Sequence, residues 1–181
     1  MIIGFMEVIY FIILILVVGY IFMDIFQPRF QRSRFSWQSL KLSCIVAAPG
    51  ILFHELAHKF VAIAFGLSAT FHIWPFGIIL GVFLKAISSP FILIAPGYVV
   101  IENGATISQG TLIAFAGPLV NLIFWLGSWA ILNYKRKLSR KMAISLYLMK
   151  VINMWLFIFN MLPIPPLDGS KVFSGLFNLI F

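Results

Sequence analysis

The sequence predicts an all-α polytopic membrane protein with about four to five transmembrane helices and a small β-hairpin or re-entrant insertion near its active centre. Three observations predict it. Of 181 residues, 62% are hydrophobic and only 10% charged, so nearly the whole chain must lie in or against a bilayer. Charge-poor stretches long enough to span recur along it, each needing about 20 residues at a rise of about 1.5 Å. One region, residues 67–107, breaks this pattern with proline, glycine and β-forming residues. With no stretch polar and long enough for a separate soluble unit, a single membrane-embedded domain over residues 1–181 is expected, with its core at 42–170.

In chain order, Ile2 to Phe26 forms a first span whose interior, Val8 to Met23, carries no charge. Gln27-Pro28 stops it, and residues 28–41 are a basic, polar loop with Trp37 placed as an interface anchor. The second span runs from Leu42 to Gly66, glycine being a natural helix stop. Thr70 to Trp74 has strand composition, Trp74-Pro75-Phe76-Gly77 reads as a turn, and residues 78–87 are apolar but too short to cross. Pro90 to Ile101 is again β-rich, ahead of a turn at Glu102-Asn103-Gly104. Irregular backbone at membrane depth survives only where protein or a wet cavity satisfies it. The insertion is therefore expected against the central helix, where a strand edge could pair with an extended substrate. Thr111 to Asn133 is the third span and Met142 to Leu162 the fourth. The proline-rich break Pro163 to Gly169 then leads into a short final helix, Ser170 to Phe181.

The net charge of +8 does not mark a nucleic-acid binder. Four basic residues fall at Arg29, Arg32, Arg34 and Lys41, and five at Lys135, Arg136, Lys137, Arg140 and Lys141. Between apolar spans such clusters are juxtamembrane loops facing anionic headgroups. The lone Cys44 excludes an internal disulfide and a thiolate zinc site; it is a small packing residue. No cleavable signal peptide is evident, since Glu7 stands where a basic start is needed and no small-residue cleavage site follows.

The chemistry sits in the second span, at His54-Glu55-Leu56-Ala57-His58. Residues four apart on an α-helix share one face, so two imidazoles can reach one metal ion while Glu55 serves as general base. Ionisable groups flanked by lipid-solvated helix are costly and mark function. Lys59, next in the chain, is expected to snorkel to a headgroup. Two histidines do not complete a catalytic zinc site, which needs a third protein ligand and an open position. His72, Glu7, Asp24, Glu102 and Asp168 are the candidates. Glu7 and Asp24 lie toward span ends, His72 sits on a strand where a structural or substrate contact fits it, and Glu102 is in a turn. Asp168 follows a helix break that can fix a carboxylate within the bilayer beside Asn160; a helix N-cap is its alternative role.

Three segments together, His54 to His58, Phe115-Ala116-Gly117-Pro118-Leu119-Val120-Asn121, and Asn160-Met161-Leu162-Pro163-Ile164-Pro165-Pro166-Leu167-Asp168-Gly169, resemble the signatures of the site-2 protease family. These are intramembrane zinc metalloproteases of the M50 type. The resemblance covers residues 42–170 and is to a compact form without a PDZ-like domain. It implies that His54, His58 and Asp168 bind one Zn2+, that Glu55 activates water, and that Asn160 and Asn121 hold substrate backbone or steady an oxyanion. It implies cleavage of a peptide bond in or near a transmembrane segment of a substrate membrane protein, and a multi-pass protein of the cell membrane. Orientation is contested. Positive loops belong in the cytoplasm, which puts 28–41 and 134–141 inside, whereas the resemblance turns the active centre to the cytosol and these loops outward.

Two other readings compete. A membrane metallopeptidase with a glutamate third ligand could draw only on Glu102. A zinc-binding transporter or a non-catalytic zinc-binding membrane protein would have no need of Glu55.

Overall fold

The structure, a computed structural model, describes residues 3–27, 35–89, 96–102 and 104–180. It is mostly helical, with a two-stranded antiparallel sheet. In order come α1 (Phe5–Phe22) with a 3-10 turn (Met23–Phe26), α2 (Trp37–Val46), α3 (Ala48–Ala64), β1 (Ser68–Ile73), α4 (Pro75–Ala86), β2 (Gly97–Glu102), α5 (Ile107–Tyr134), α6 (Arg140–Asn160) and α7 (Asp168–Ile180). Among the described residues, four stretches are long and apolar enough to cross a membrane: Phe5–Phe26, Trp37–Ala64, Ile107–Tyr134 and Arg140–Asn160. These are the four expected spans, each reset by a few residues. Helix α7, with 13 residues, reaches about 20 Å and is shorter than a bilayer core.

The second span starts earlier than expected and is broken. Trp37 to Lys41 are helical rather than loop, and the chain kinks at Ala47 between α2 and α3. Pro49 explains the kink: it has no N–H for the Ile45 carbonyl, and its ring crowds that oxygen. At the other end Gly66, at φ 76, closes α3 as foreseen. The basic residues 28–34 and the β-rich residues 90–95 lie outside the described residues, as does Asn103 of the expected turn.

The chain divides into two compact units, Met1–Leu52 with Thr70–Val100, and Phe53–Ala69 with Ile101–Phe181. In the first, α1 packs on α2 closely enough that a Cβ on Gly19 would collide with Cys44 Sγ; Cys44 is the packing residue expected. Phe11 stacks on Phe71 with ring centroids 4.7 Å apart. Glu7, expected toward the end of the first span, has its carboxylate satisfied within the protein. It is buried, and its Oε2 accepts from Gly4 N–H at 2.7 Å while its Oε1 accepts from Phe71 N–H at 2.7 Å. One carboxylate thus caps α1 and satisfies a β1 donor. Asp24 is likewise committed, to Lys85 Nζ at 2.9 Å.

The insertion holds the small two-stranded antiparallel sheet expected of it, but not the expected turn. Trp74-Pro75-Phe76-Gly77 does not turn the strand back; Pro75 opens α4, a first-turn place where its missing N–H costs nothing. The strands are joined through α4, and Trp74 N–H donates to the Pro96 carbonyl at 2.9 Å. Glu102 ends β2, exposed, rather than standing in a turn.

The second unit is built on α5, which packs on both α6 and α7. Thr106 and Gln109 form a capping box at its start. Pro118, buried in its middle, withholds a hydrogen bond from the Ala114 carbonyl. Lys59 does not snorkel. It is buried at 2% exposure, and its ammonium donates to the Ala69 carbonyl, tying the end of α3 to the strand that follows.

Candidate metal centre

Three elements of the second unit bring the centre together. Helix α3 offers His54 and His58 one turn apart on one face. Helix α5 runs beneath them with Gly117, where a Cβ would stand 2.7 Å from His54 Nε2 and closer still to His58 Nε2. Any side chain at residue 117 would fill the space the two rings use.

Asp168 arrives from the far side of the sequence. Pro163, Pro165 and Pro166 prevent α6 from continuing, and α7 restarts at Asp168 itself. Gly169 lies so close to the Met161–Leu162 backbone that a Cβ there would meet the Leu162 carbonyl at 2.5 Å. The restart is pinned further by Ser170, whose N–H and hydroxyl both donate to the Leu167 carbonyl. Asp168 is therefore more than a helix cap: its Oδ2 lies 3.0 Å from His54 Nε2 and 3.2 Å from His58 Nε2.

The two Nε2 atoms are 3.1 Å apart, so three donor atoms form a nearly equilateral triangle. Zinc bound tetrahedrally at about 2.05 Å has ligand–ligand edges of about 3.3 Å. The triangle matches one face of that tetrahedron within about 0.3 Å, the tolerance being about 0.2 Å in each metal–ligand distance. Its chemistry also fits. His58 donates from Nδ1 to the Ile113 carbonyl at 2.7 Å, which leaves a bare lone pair at Nε2. Two imidazoles and a carboxylate, with no thiolate, are a catalytic zinc set with a place left over. His54, His58 and Asp168 are the one such cluster among the described residues. Glu55 is buried beside it on α3.

The sequence-predicted residues divide accordingly. Glu7 and Asp24 are taken by the partners given above, and His72 lies between Tyr10 and Tyr98 in the first unit. Asn121 stands against the centre: its Oδ1 meets His54 Nδ1 at 2.7 Å and its Nδ2 donates to Asn153 Oδ1 at 3.0 Å, so both ends of its amide have partners within the protein. Asn160 donates from Nδ2 to the Leu156 carbonyl at 3.0 Å. Asn153 was not foreseen. An asparagine in the interior of an apolar span is the signal that could have found it, since such a group must be satisfied by protein.

Comparison with known proteins agrees with this geometry. Residues 127–181, which contain Asp168, match Peptidase family M50. "Putative zinc metalloprotease MJ0611" of Methanocaldococcus jannaschii is 38% identical over 148 residues, 79% of this chain and 74% of that protein. "Putative zinc metalloprotease YwhC" of Bacillus subtilis is 32% identical over 149 residues, 68% of this chain and 63% of that one. With a relative this similar matched over most of its length, and a membrane architecture around a histidine–aspartate centre, the chain belongs to Peptidase family M50.

Proposed function

We propose that this membrane protein is a zinc-dependent endopeptidase that cleaves within the bilayer, hydrolysing a peptide bond in or near a transmembrane segment of another membrane protein. The observation that carries the reading is the triangle of His54, His58 and Asp168 donors, buried beside Glu55 on helices apolar enough to span. His54, His58 and Asp168 hold the ion. When bound, zinc polarises the scissile carbonyl and makes a water acidic near neutral pH. Glu55 takes a proton from the attacking water as its oxygen adds to the carbonyl carbon. It then delivers that proton to the leaving nitrogen as the carbon–nitrogen bond breaks. Asn160, the last residue of α6 and the first of the Asn160–Gly169 signature, is assigned to the substrate backbone or the oxyanion.

The substrate helix must unwind to expose its carbonyl, so helix-weakening residues near the cleavage site should favour hydrolysis. The cell membrane is the compartment proposed. Against the alternative with a glutamate ligand stand the 3.0 and 3.2 Å between Asp168 Oδ2 and the two imidazoles, and the exposed place of Glu102 at the end of β2. The test is cleavage of a helix-destabilised transmembrane substrate by purified protein in detergent or liposomes. Glu55→Gln should retain zinc and lose activity by about 100-fold to 10,000-fold, the worth of a general base. Full cleavage by zinc-loaded Glu55→Gln would remove the mechanism.

A further inference from the structure

We propose that Asn121 and Asn153 are positioning residues that fix the tautomer of His54, holding the proton at Nδ1 and leaving Nε2 bare; this rests on the zinc reading above. A neutral imidazole binds metal through whichever nitrogen lacks hydrogen, and the partner of the other nitrogen decides which that is. For His58 the matter is settled at once, because Ile113 presents a backbone carbonyl, which only accepts. His54 instead faces a side-chain amide, which could offer either its oxygen or its NH2.

The direction is set two residues away. One end of the Asn153 amide lies 2.8 Å from the Met149 carbonyl, one turn back on α6. A carbonyl only accepts, so that end is the NH2 and the opposite end is the oxygen. This oxygen faces Asn121 at 3.0 Å, so Asn121 turns its own NH2 toward it. The oxygen of Asn121 is then left for His54 Nδ1 at 2.7 Å, and Nδ1 must donate. The deduction follows from hydrogen-bond polarity alone. Both asparagines are at 0% exposure, and reversing either amide would oppose two buried oxygens. The backbone of α6 thus reaches through two side chains to orient a histidine of α3.

The experiment uses the purified full chain in detergent, with zinc affinity read by competition against a chromophoric chelator. Asn121→Leu removes the acceptor and should weaken zinc binding by about 10- to 100-fold. Asn153→Leu frees the Asn121 amide to turn and should fall between. Asn121→Asp alone would set a carboxylate oxygen against Asn153 Oδ1, so it is made together with Asn153→Leu; the pair keeps an acceptor toward Nδ1 and should bind at least as well as Asn153→Leu alone. If Asn121 served packing alone, the order would reverse, with near-isosteric leucine tolerated and a buried carboxylate not. Wild-type affinity in Asn121→Leu, or weaker binding by the double variant than by Asn121→Leu, would overturn the inference.

A second readout needs no variant. Nitrogen NMR of histidine-labelled, metal-free wild type, at a pH where the ring is neutral, should show His54 protonated at Nδ1; the Nε2–H tautomer there would also overturn it. Asp168→Ala separates the two levels. If it abolishes zinc binding while Asn121→Leu binds normally, only this inference fails. If Asp168→Ala keeps wild-type affinity, the zinc reading itself is wrong.

Discussion

Gly117 is the position where a single methyl group should separate the metal centre from the fold. In Gly117→Ala the new Cβ would sit 2.7 Å from His54 Nε2 and Cε1, and closer to His58 Nε2. Non-bonded atoms of this kind settle at about 3.5 Å, so the His54 ring must retreat by about 0.8 Å and the His58 ring by about 1.1 Å, or α5 must shift by as much. The donor triangle has sides of 3.0 to 3.2 Å, and a metal site tolerates about 0.2 Å in its ligand distances. The smaller displacement is roughly four times that, so zinc affinity should drop by at least about 100-fold, the upper end of what second-sphere changes cost. The fold should notice far less. Alanine gains about 1 kcal/mol over glycine in helix propensity, against about 1–3 kcal/mol for overpacking. Metal-free protein should therefore unfold within about 2 kcal/mol of wild type. Chelator competition and thermal unfolding of metal-free protein in detergent measure the two quantities. Wild-type zinc affinity in Gly117→Ala would refute the reasoning, because the rings could not then be where the methyl group must go.

Three further predictions concern the frame around the centre. Glu7→Ala leaves the Gly4 and Phe71 donors without their carboxylate and should cost about 3 kcal/mol. Glu7→Gln, which keeps one acceptor, should cost about half of that, both read by thermal unfolding in detergent. A Cβ on Gly175 would land on the Thr111 hydroxyl, so Gly175→Ala should destabilise the α5–α7 packing by about 1–3 kcal/mol. Thr111→Ala should recover part of that in the double variant, a coupling that independent sites would not show. For orientation, Ser139→Cys in a Cys44→Ser background should be labelled by a membrane-impermeant thiol reagent in intact cells, as the family topology requires. Protection in intact cells with labelling after lysis would instead support the arrangement favoured by the basic loops.

Much of the fold was legible because its signals are local. Apolar length locates the spans, and the four-residue spacing of His54 and His58 places both on one face whatever surrounds them. The Pro163–Gly169 break likewise announces that a helix stops and another follows, which starts at Asp168, two residues before the expected Ser170. What escaped depends on partners distant in sequence. Asn153 carries no spacing relation to any motif, and its task follows only from the depth at which α5 and α6 pack. Asn121 could be recognised as a polar group within the membrane, but its partner could not. Lys59 illustrates a competition that composition cannot decide. A lysine flanked by apolar residues can reach outward to headgroups or inward to a carbonyl, and Ala69 at the start of β1 decides for the latter. Trp74-Pro75 misled for a related reason. Proline before a glycine marks a turn as readily as a helix start, and the twelve-residue α4 that follows is too short for its apolar run to tell them apart.

X-ray absorption at the zinc K-edge, on purified full-length chain loaded with one equivalent of zinc, tests the centre most directly. Two imidazole nitrogens and one or two oxygens at about 2.0–2.1 Å, with no sulfur at about 2.3 Å, are expected. In Asp168→Ala whatever zinc remains should lose an oxygen from that shell. A wild-type spectrum with fewer than two imidazoles, or one that Asp168→Ala leaves unchanged, would contradict the assignment of His54, His58 and Asp168 as the ligands.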